Sequence, residues 1–358
     1  MIIFGAPRRY VQGPGAIESI GSEVDRLGGS AVLVADETVL SLVRSSVASS
    51  CQAVGVALHC LRFGGDVTTA EILRLADQAT VDSPDVVIAA GGGKGIDAGK
   101  GLCARLGARL ITMPTAASND SSTSHIIVLY DQAHRLSGVD RMKTNPDTVV
   151  VDTAVIARAP LTLLRAGIGD AIVKQFEAQQ CSDAFGLNLF GGTPPKIAIA
   201  IAQACYQILR TDAVAALKAA ERQIPDPAFE RVIEACLLMS GLAFESGGLS
   251  ISHAMTRGLT AIESTAKALH GYQVAYGLLV QLILEEVEPS FLHDMIGFFQ
   301  LLGLPTCLAD LGLESAGHNA LLSIAQPTMN APYIKHFRRH LSMSDLVKAM
   351  QSLEASGR

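Results

Sequence analysis

Residues 86–101 read VVIAAGGGKGIDAGKG, a run of small and β-branched apolar residues that stops at three consecutive glycines and resumes as a helix-forming stretch. A short apolar run bounded by turn formers reads as a buried strand. Glycines at its carboxyl end let the backbone approach a ligand closely. The helix start that follows offers free N–H groups and a positive dipole end, which together suit a phosphate. No Gly-x4-Gly-Lys-Ser/Thr spacing passes through the segment, so it is not a Walker A loop. Gly93-x-Gly95-x-x-Ala98 does match a loosened dinucleotide fingerprint, placed after a middle strand instead of the first. The alternative is a tight strand-to-helix turn with Lys94 solvated.

Working outward, AVLVA (31–35), LITM (110–113), IIVLY (126–130) and TVVV (148–151) also read as buried strands, with helical stretches at Thr69–Thr80 and Ile96–Leu106. Strand alternating with helix implies a parallel sheet covered by helices. The polar stretch 131–147, DQAHRLSGVDRMKTNPD, reads as an antiparallel excursion. Beyond Pro160 no comparable β-branched run recurs. Lys196–Arg210, Phe229–Phe244, Ala275–Val287 and Met343–Leu353 carry apolar residues at helical spacing, which predicts an all-helical second domain. The expected division is residues 1–158, an α/β nucleotide-binding domain with a Rossmann-like parallel sheet, and residues 159–358, a helical domain.

Composition narrows the class. Of 358 residues, 49% are hydrophobic and 17% charged, enough for a large core and too few charges for a disordered tail. There is no Trp, aromatics are 5% and the formal net charge is -6, which excludes a basic, aromatic platform for nucleic acid and any general pull toward anionic membranes. Seven cysteines, at 51, 60, 103, 181, 205, 236 and 307, stand singly with no CxxC pair, as expected of reduced thiols in the cytoplasm. Arg8 and Arg9 follow the short apolar start, the reverse of a signal peptide. No run of 18 uninterrupted apolar residues appears, so a soluble protein is expected.

Several polar residues stand out. Asp36 closes AVLVA and reads either as an acceptor for the ribose hydroxyls of an adenosine or as the N-cap of a helix beginning at Glu37. The loop MPTAASNDSSTS (113–124) is crowded with hydroxyls, and Asp120 is its only carboxylate. In the second half, Asp170, His253 and His270 are polar exceptions in apolar or glycine-rich surroundings. One carboxylate with two imidazoles leaves positions open on a divalent ion, as a catalytic site requires. Singly, each has a plainer reading: Asp170 as a helix cap, the histidines as hydrogen-bonded core residues. Glu177 and Glu245 lie near enough in sequence to support such a site. His125, His134, His293, His318, His336 and His340 sit in polar contexts and are expected at the surface.

GGGKGIDAGK, PTAASNDSSTS, NPDTVVVDT, GIGDAIVKQFEA, GLAFESGGLSISHA and LHGYQVAYG occur in one order along the chain. In that order they resemble the glycerol dehydrogenases of the iron-containing, or polyol-type, alcohol dehydrogenase superfamily, which shares its architecture with dehydroquinate synthase. The resemblance runs from about Pro14 to the C-terminus. It implies a nucleotide-binding α/β domain and a helical domain with the active site in the cleft between them, a cytoplasmic homo-oligomer, NAD, and one divalent metal, zinc or else iron. By the same resemblance Asp170, His253 and His270 hold the metal. Gly92, Gly93 and Lys94 hold the pyrophosphate with Asp97 nearby, Thr115, Ser118, Ser124, Ile126 and Tyr130 surround the cofactor, and Asp36 takes the ribose. Asp120 contacts the polyol, and Asp120 or His253 passes the proton through water.

The implied reaction is metal-assisted hydride transfer from glycerol or a related vicinal diol to NAD. Tyr272, where an acidic residue is common, Ser118–Asp120 reading SND, and TAKAL before His270 depart from the family pattern on the substrate side. The runner-up is an NAD(P)H-dependent 2-hydroxycarboxylate dehydrogenase of the same fold, although Asp120 would repel a carboxylate. A dehydroquinate synthase-like lyase would need more basic residues than Lys174, Arg257 and Lys267 beside the metal motifs. A binding protein that had lost catalysis would have a broken triad, whereas all three residues are present.

Overall fold

The apolar runs of the first half become strands because each is short, rich in β-branched residues and cut off by turn formers. The computed structural model describes residues 1–79, 83–131 and 136–356. Among these the strands are β1 (Arg9–Gly13), β2 (Ser30–Ala35), β3 (Ala57–Arg62), β4 (Val86–Gly91), β5 (Arg109–Pro114), β6 (Ile126–Tyr130), β7 (Leu136–Arg141) and β8 (Thr148–Asp152). Six form a parallel sheet in the order β1-β8-β5-β4-β2-β3. AVLVA, VVIAA, LITM and TVVV are its four interior strands. The edges β1 (RYVQG) and β3 (ALHCLR) have no fully buried position and so carry no apolar run to announce them. IIVLY, as β6, stands outside this sheet and pairs antiparallel with β7. Of its residues only Ile126 and Ile127 are buried. Thr80 and His134 lie outside the described residues.

Side-chain alternation sorts the interior strands between two cores. Ala31, Leu33, Ala35, Val86, Ile88 and Ala90 pack with Val39, Val43 and Val47 of the helix Glu37–Ala53. Val32, Val34, Val87 and Ala89 pack on the other face with Leu75, Ile96 and Leu102. Both faces are covered, which is why the strands are apolar throughout and not alternating. Each Val, Leu or Ile among them contributes roughly 1.5–3 kcal/mol on full burial. The helix Gly93–Leu106 lies so close to β4 that a Cβ at Gly99 would fall 2.2 Å from Cβ of Ala89.

Beyond Pro160 every element among the described residues is helical. The stretch expected at 196–210 runs on to Glu221. That expected at 229–244 is Pro227–Glu234, one π-helical turn Ala235–Met239, and Ser240–Gly247. The stretch expected at 275–287 begins earlier and ends earlier, at His270–Leu284, and the last helix is Met343–Ser356. No single helix among the described residues is long and apolar enough to cross a membrane.

The chain forms two compact units. One is Gly5–Pro160 with Ala219–Gly241; the other is Met1–Phe4, Leu161–Lys218 and Leu242–Arg358. The division expected at 158/159 assigns all of 219–241 to the helical half, but that segment packs with the α/β unit. Gln12 Nε2 of β1 donates to Glu230 Oε2 at 2.8 Å, and Thr123 Oγ1 donates to Leu237 O at 3.0 Å. Helical residues that join a sheet domain keep helical composition, so the excursion leaves no mark in the sequence.

Candidate functional site

In the α/β unit, Gly91 ends β4 at φ +138°, a conformation that side chains rarely adopt, and Gly92 is the N-cap of the helix Gly93–Leu106. A Cβ at Gly92 would meet nothing within 4 Å, so this backbone is open to an approaching group. A Cβ at Gly95 would fall 2.7 Å from Ala90 O. The cradle therefore requires glycine for packing as well as for access. The first-turn N–H groups of a 14-residue helix point into it and suit a pyrophosphate. Lys94 Nζ donates to Asp66 Oδ1 at 2.6 Å and lies 4.9 Å from the Tyr130 ring centroid, so its charge is balanced by a carboxylate that no motif flagged.

Asp36 caps the helix Glu37–Ala53, its Oδ1 accepting from Val39 N at 2.9 Å, and it stands at the carboxyl end of β2 beside β4. Thr115 N donates to Gly91 O at 3.1 Å, and Ser118 is half-buried in the same loop. Asp97, Ser124 and Ile126 are gathered around Lys100. Its fully buried Nζ donates to Asp97 Oδ1 at 3.0 Å, Ser124 Oγ at 3.1 Å and Ile126 O at 2.7 Å. Asp97 Oδ2 accepts from Val128 N at 3.0 Å, and burial raises this carboxyl above its ordinary value against the pull of Lys100. Burial also raises the Tyr130 phenol, helped by Asp97 and Asp66. A lysine three residues after Asp97 inside an apolar helix was the available sign of this network.

Asp120 is buried, and its Oδ2 accepts from Ser240 Oγ at 2.8 Å. A Cβ at Gly241 would lie 1.8 Å from Thr123 Oγ1, so glycine is what lets this segment close on the loop. Ser240 is 120 residues from Asp120, and nothing near it in sequence marks it as a partner.

In the helical unit three helices each bring one candidate ligand: Asp170 from Leu161–Ile172, His253 from Ile251–Leu259, and His270 at the start of His270–Leu284. Glycines set how closely these helices approach. A Cβ at Gly169 would fall 2.6 Å from Gly271 O, one at Gly271 1.8 Å from Ala166 O, and one at Gly277 2.6 Å from Ser252 O. One ligand atom from each of the three residues lies within 4.8 Å of the others. His253 Nε2 is 3.3 Å and His270 Nε2 3.8 Å from Asp170 Oδ1. Ligands bound tetrahedrally at zinc-like lengths stand about 3.4 Å apart, so these atoms fit a single divalent ion. Asp170 and His253 are buried, while the His270 side chain is 47% exposed, which leaves the site open on one side.

Glu177 orients the central ligand. Its Oε2 is 2.5 Å from His253 Nδ1, and its Oε1 accepts from the amides of Ser250 and His253 at 2.9 Å each. An acceptor on Nδ1 places a proton there and turns Nε2 toward Asp170. Burial alone would raise the Asp170 and Glu177 carboxyls. For Asp170 the Lys174 ammonium and the two imidazoles outweigh it, and for Glu177 the His253 ring and Lys174 do, so both lie below their ordinary values. Burial would lower His253, but Glu177 leads the groups that raise it above its ordinary value. Lys174 belongs to this cluster: its Nζ donates to Asp170 Oδ1 at 2.8 Å and lies 3.3 Å from His253 Nε2. Glu245 is buried, and its backbone carbonyl accepts from Leu189 N.

Two histidines expected at the surface are buried. His125 is 5% and His336 6% exposed, whereas His293, His318 and His340 are exposed. His336 Nδ1 lies 2.9 Å from Leu249 O and 3.6 Å from Cys181 Sγ, partners that a polar sequence context does not reveal. None of the seven cysteines forms a disulfide.

The profile of the iron-containing alcohol dehydrogenases matches residues 7–153. A glycerol dehydrogenase of Thermotoga maritima is 35% identical over 354 residues, covering 98% of this chain and 96% of that protein. A glycolaldehyde reductase of Halobacterium salinarum is 38% identical over 313 residues, covering 87% of this chain and 86% of that protein. The chain belongs to the iron-containing alcohol dehydrogenase family. The crystal structure of glycerol dehydrogenase from Schizosaccharomyces pombe superposes on this family member with a TM-score of 0.96 at 32% identity, over 100% of this chain and 91% of that one. Membership makes the protein an alcohol oxidoreductase that uses NAD and a divalent metal ion.

Proposed function

We propose that the enzyme oxidises glycerol, or a related vicinal diol, at its secondary hydroxyl to the ketone, with NAD as hydride acceptor and zinc as its ion. Glycerol would give dihydroxyacetone. The observation that carries this reading is the triad itself: a carboxylate oxygen and two imidazole nitrogens at 3.3 and 3.8 Å, spacings suited to a tetrahedral ion with an open position. When bound, the ion supplies Lewis acidity that lowers the pKa of a substrate hydroxyl, and the nicotinamide supplies the hydride acceptor.

Asp170, His253 and His270 hold the ion, and Glu177 keeps His253 in the tautomer that presents Nε2. The amides at Gly92 and Gly93 receive the pyrophosphate, with Lys94, Asp97, Thr115, Ser118, Ser124, Ile126 and Tyr130 forming or bracing the walls of the cofactor site. Asp36 receives the adenosine ribose and disfavours a 2′-phosphate. Asp120, fixed by Ser240, accepts a hydrogen bond from a substrate hydroxyl and repels a carboxylate, which favours a neutral diol over a 2-hydroxy acid. Asp120 starts the relay that carries the hydroxyl proton to water, since His253 has Nε2 committed to the ion and Nδ1 to Glu177. A homo-oligomer belongs to the same reading and is checked by light scattering.

NADH formation is measured with glycerol, 1,2-propanediol and 2-hydroxybutyrate, each with zinc and after chelation. Both diols are expected to give a zinc-dependent signal that exceeds that of the hydroxy acid. A zinc-dependent signal from the hydroxy acid alone would replace this reading with the 2-hydroxycarboxylate one.

A further inference from the structure

Lys174 is 1% exposed and sits four residues beyond Asp170, where one helix has ended at Ile172 and the next begins. Its Nζ donates to Asp170 Oδ1 at 2.8 Å and stands 3.3 Å from His253 Nε2. These are the two atoms that face each other across the triad at 3.3 Å. With Nδ1 committed to Glu177, Nε2 is the nitrogen left to coordinate an ion, and the Lys174 ammonium stands 3.3 Å from it. An ion held there would take the place of that ammonium. Asp170 faces the same exchange, since a monocation and a divalent ion packed around one buried carboxylate repel each other strongly.

Resting on the reading of Asp170, His253 and His270 as metal ligands, we propose that Lys174 is a built-in competitor for the metal, so that loading the triad exchanges the Lys174 ammonium for the divalent ion at Asp170 Oδ1 and His253 Nε2. Two consequences follow from the geometry. The ammonium balances Asp170 and keeps the ligand atoms at near-coordination spacing before an ion arrives. It also lowers the net affinity for metal, because every ion must displace a paired charge. The ammonium also lies over the face of Phe244, 5.4 Å from its centroid, and that ring stacks beside His253 at 6.3 Å.

The zinc dissociation constant is measured by competition with a chromogenic chelator for the wild type, Lys174→Met, Lys174→Thr and Asp170→Ala, with thermal melts of each protein after chelation. Both Lys174 variants are expected to bind zinc roughly tenfold or more tightly than the wild type. Their chelated forms should melt below the wild type and recover with zinc. Equal or weaker zinc binding in both variants overturns the exchange. Asp170→Ala separates the two ideas, because wild-type zinc affinity in that protein would remove the triad reading itself. Should the Lys174 variants not fold, the crystal structure of the zinc-loaded wild type decides. Nζ is expected beyond hydrogen-bonding reach of Asp170 Oδ1, and an intact Lys174–Asp170 bond there would refute the exchange.

Discussion

In the α/β unit the cradle after β4 is made of main chain: Gly91 at φ +138°, an open Gly92, and the amides that start the helix Gly93–Leu106. Lys94, in the first turn of that helix, is paired with Asp66. In the helical unit the candidate centre is made of side chains from residues 170, 253 and 270, and Glu177 and Lys174 add two more buried charges. Glycine does different work in the two places. At the cradle Gly92 leaves room for a ligand, whereas Gly169, Gly271 and Gly277 leave room for another helix. A backbone site should tolerate polar exchanges and fail when a Cβ is added. A side-chain site should fail on a polar exchange while the helices around it stay folded.

The largest effect that tests this contrast is expected from Asp170→Ala. It should abolish stoichiometric zinc and lower kcat/KM for glycerol by about 10³-fold, on the order of 4 kcal/mol, while NAD still binds. Loss of NAD binding in the same variant would break the contrast. Gly271→Ala comes next. Its Cβ would meet Ala166 O at 1.8 Å, backbone against backbone, so urea unfolding should show a loss of about 3 kcal/mol. Gly95→Ala, whose Cβ would fall 2.7 Å from Ala90 O, should weaken NAD about tenfold by fluorescence titration and leave zinc affinity unchanged. Asp120→Asn should raise the KM for glycerol several-fold, about 1 kcal/mol, without altering NAD binding. Equal loss of both would give the residue to the fold.

The smallest effect concerns His336, beside the start of the His253 helix. Burial holds its imidazole below the ordinary 6.5, so the unfolded chain takes up its proton first as pH falls. Its contribution is whole above 6.5 and is lost as pH drops from there through the lower folded value. The Tm of the wild type should therefore fall more steeply in that window than that of His336→Asn.

Legibility followed the same contrast. The cradle is contiguous, so strand, glycines and helix start are visible in 86–101 without help. The interior strands are apolar on both faces and equally visible, while β1 and β3, half-exposed at the edges, are not. Asp170, His253 and His270 look odd singly, but their meeting depends on helix contacts far apart in sequence, and only resemblance to a family joined them. Ser240 beside Asp120 was out of view for the same reason: a hydrogen-bond partner 120 residues away, chosen by packing, leaves no spacing rule behind, whereas Lys100 lies one helical turn from Asp97. Lys174 was visible as a basic residue near the metal motifs, but its aim at Asp170 Oδ1 needed the side-chain geometry.

The central claim is that turnover needs one ion held by the side-chain triad. Chelated protein is titrated with zinc while NADH formation from glycerol is followed, in the wild type and in His253→Ala. The account predicts a rate that rises to an equivalence point at about one zinc per chain in the wild type and stays flat in the variant. Full turnover by chelated wild type, or an unchanged titration in His253→Ala, would contradict it.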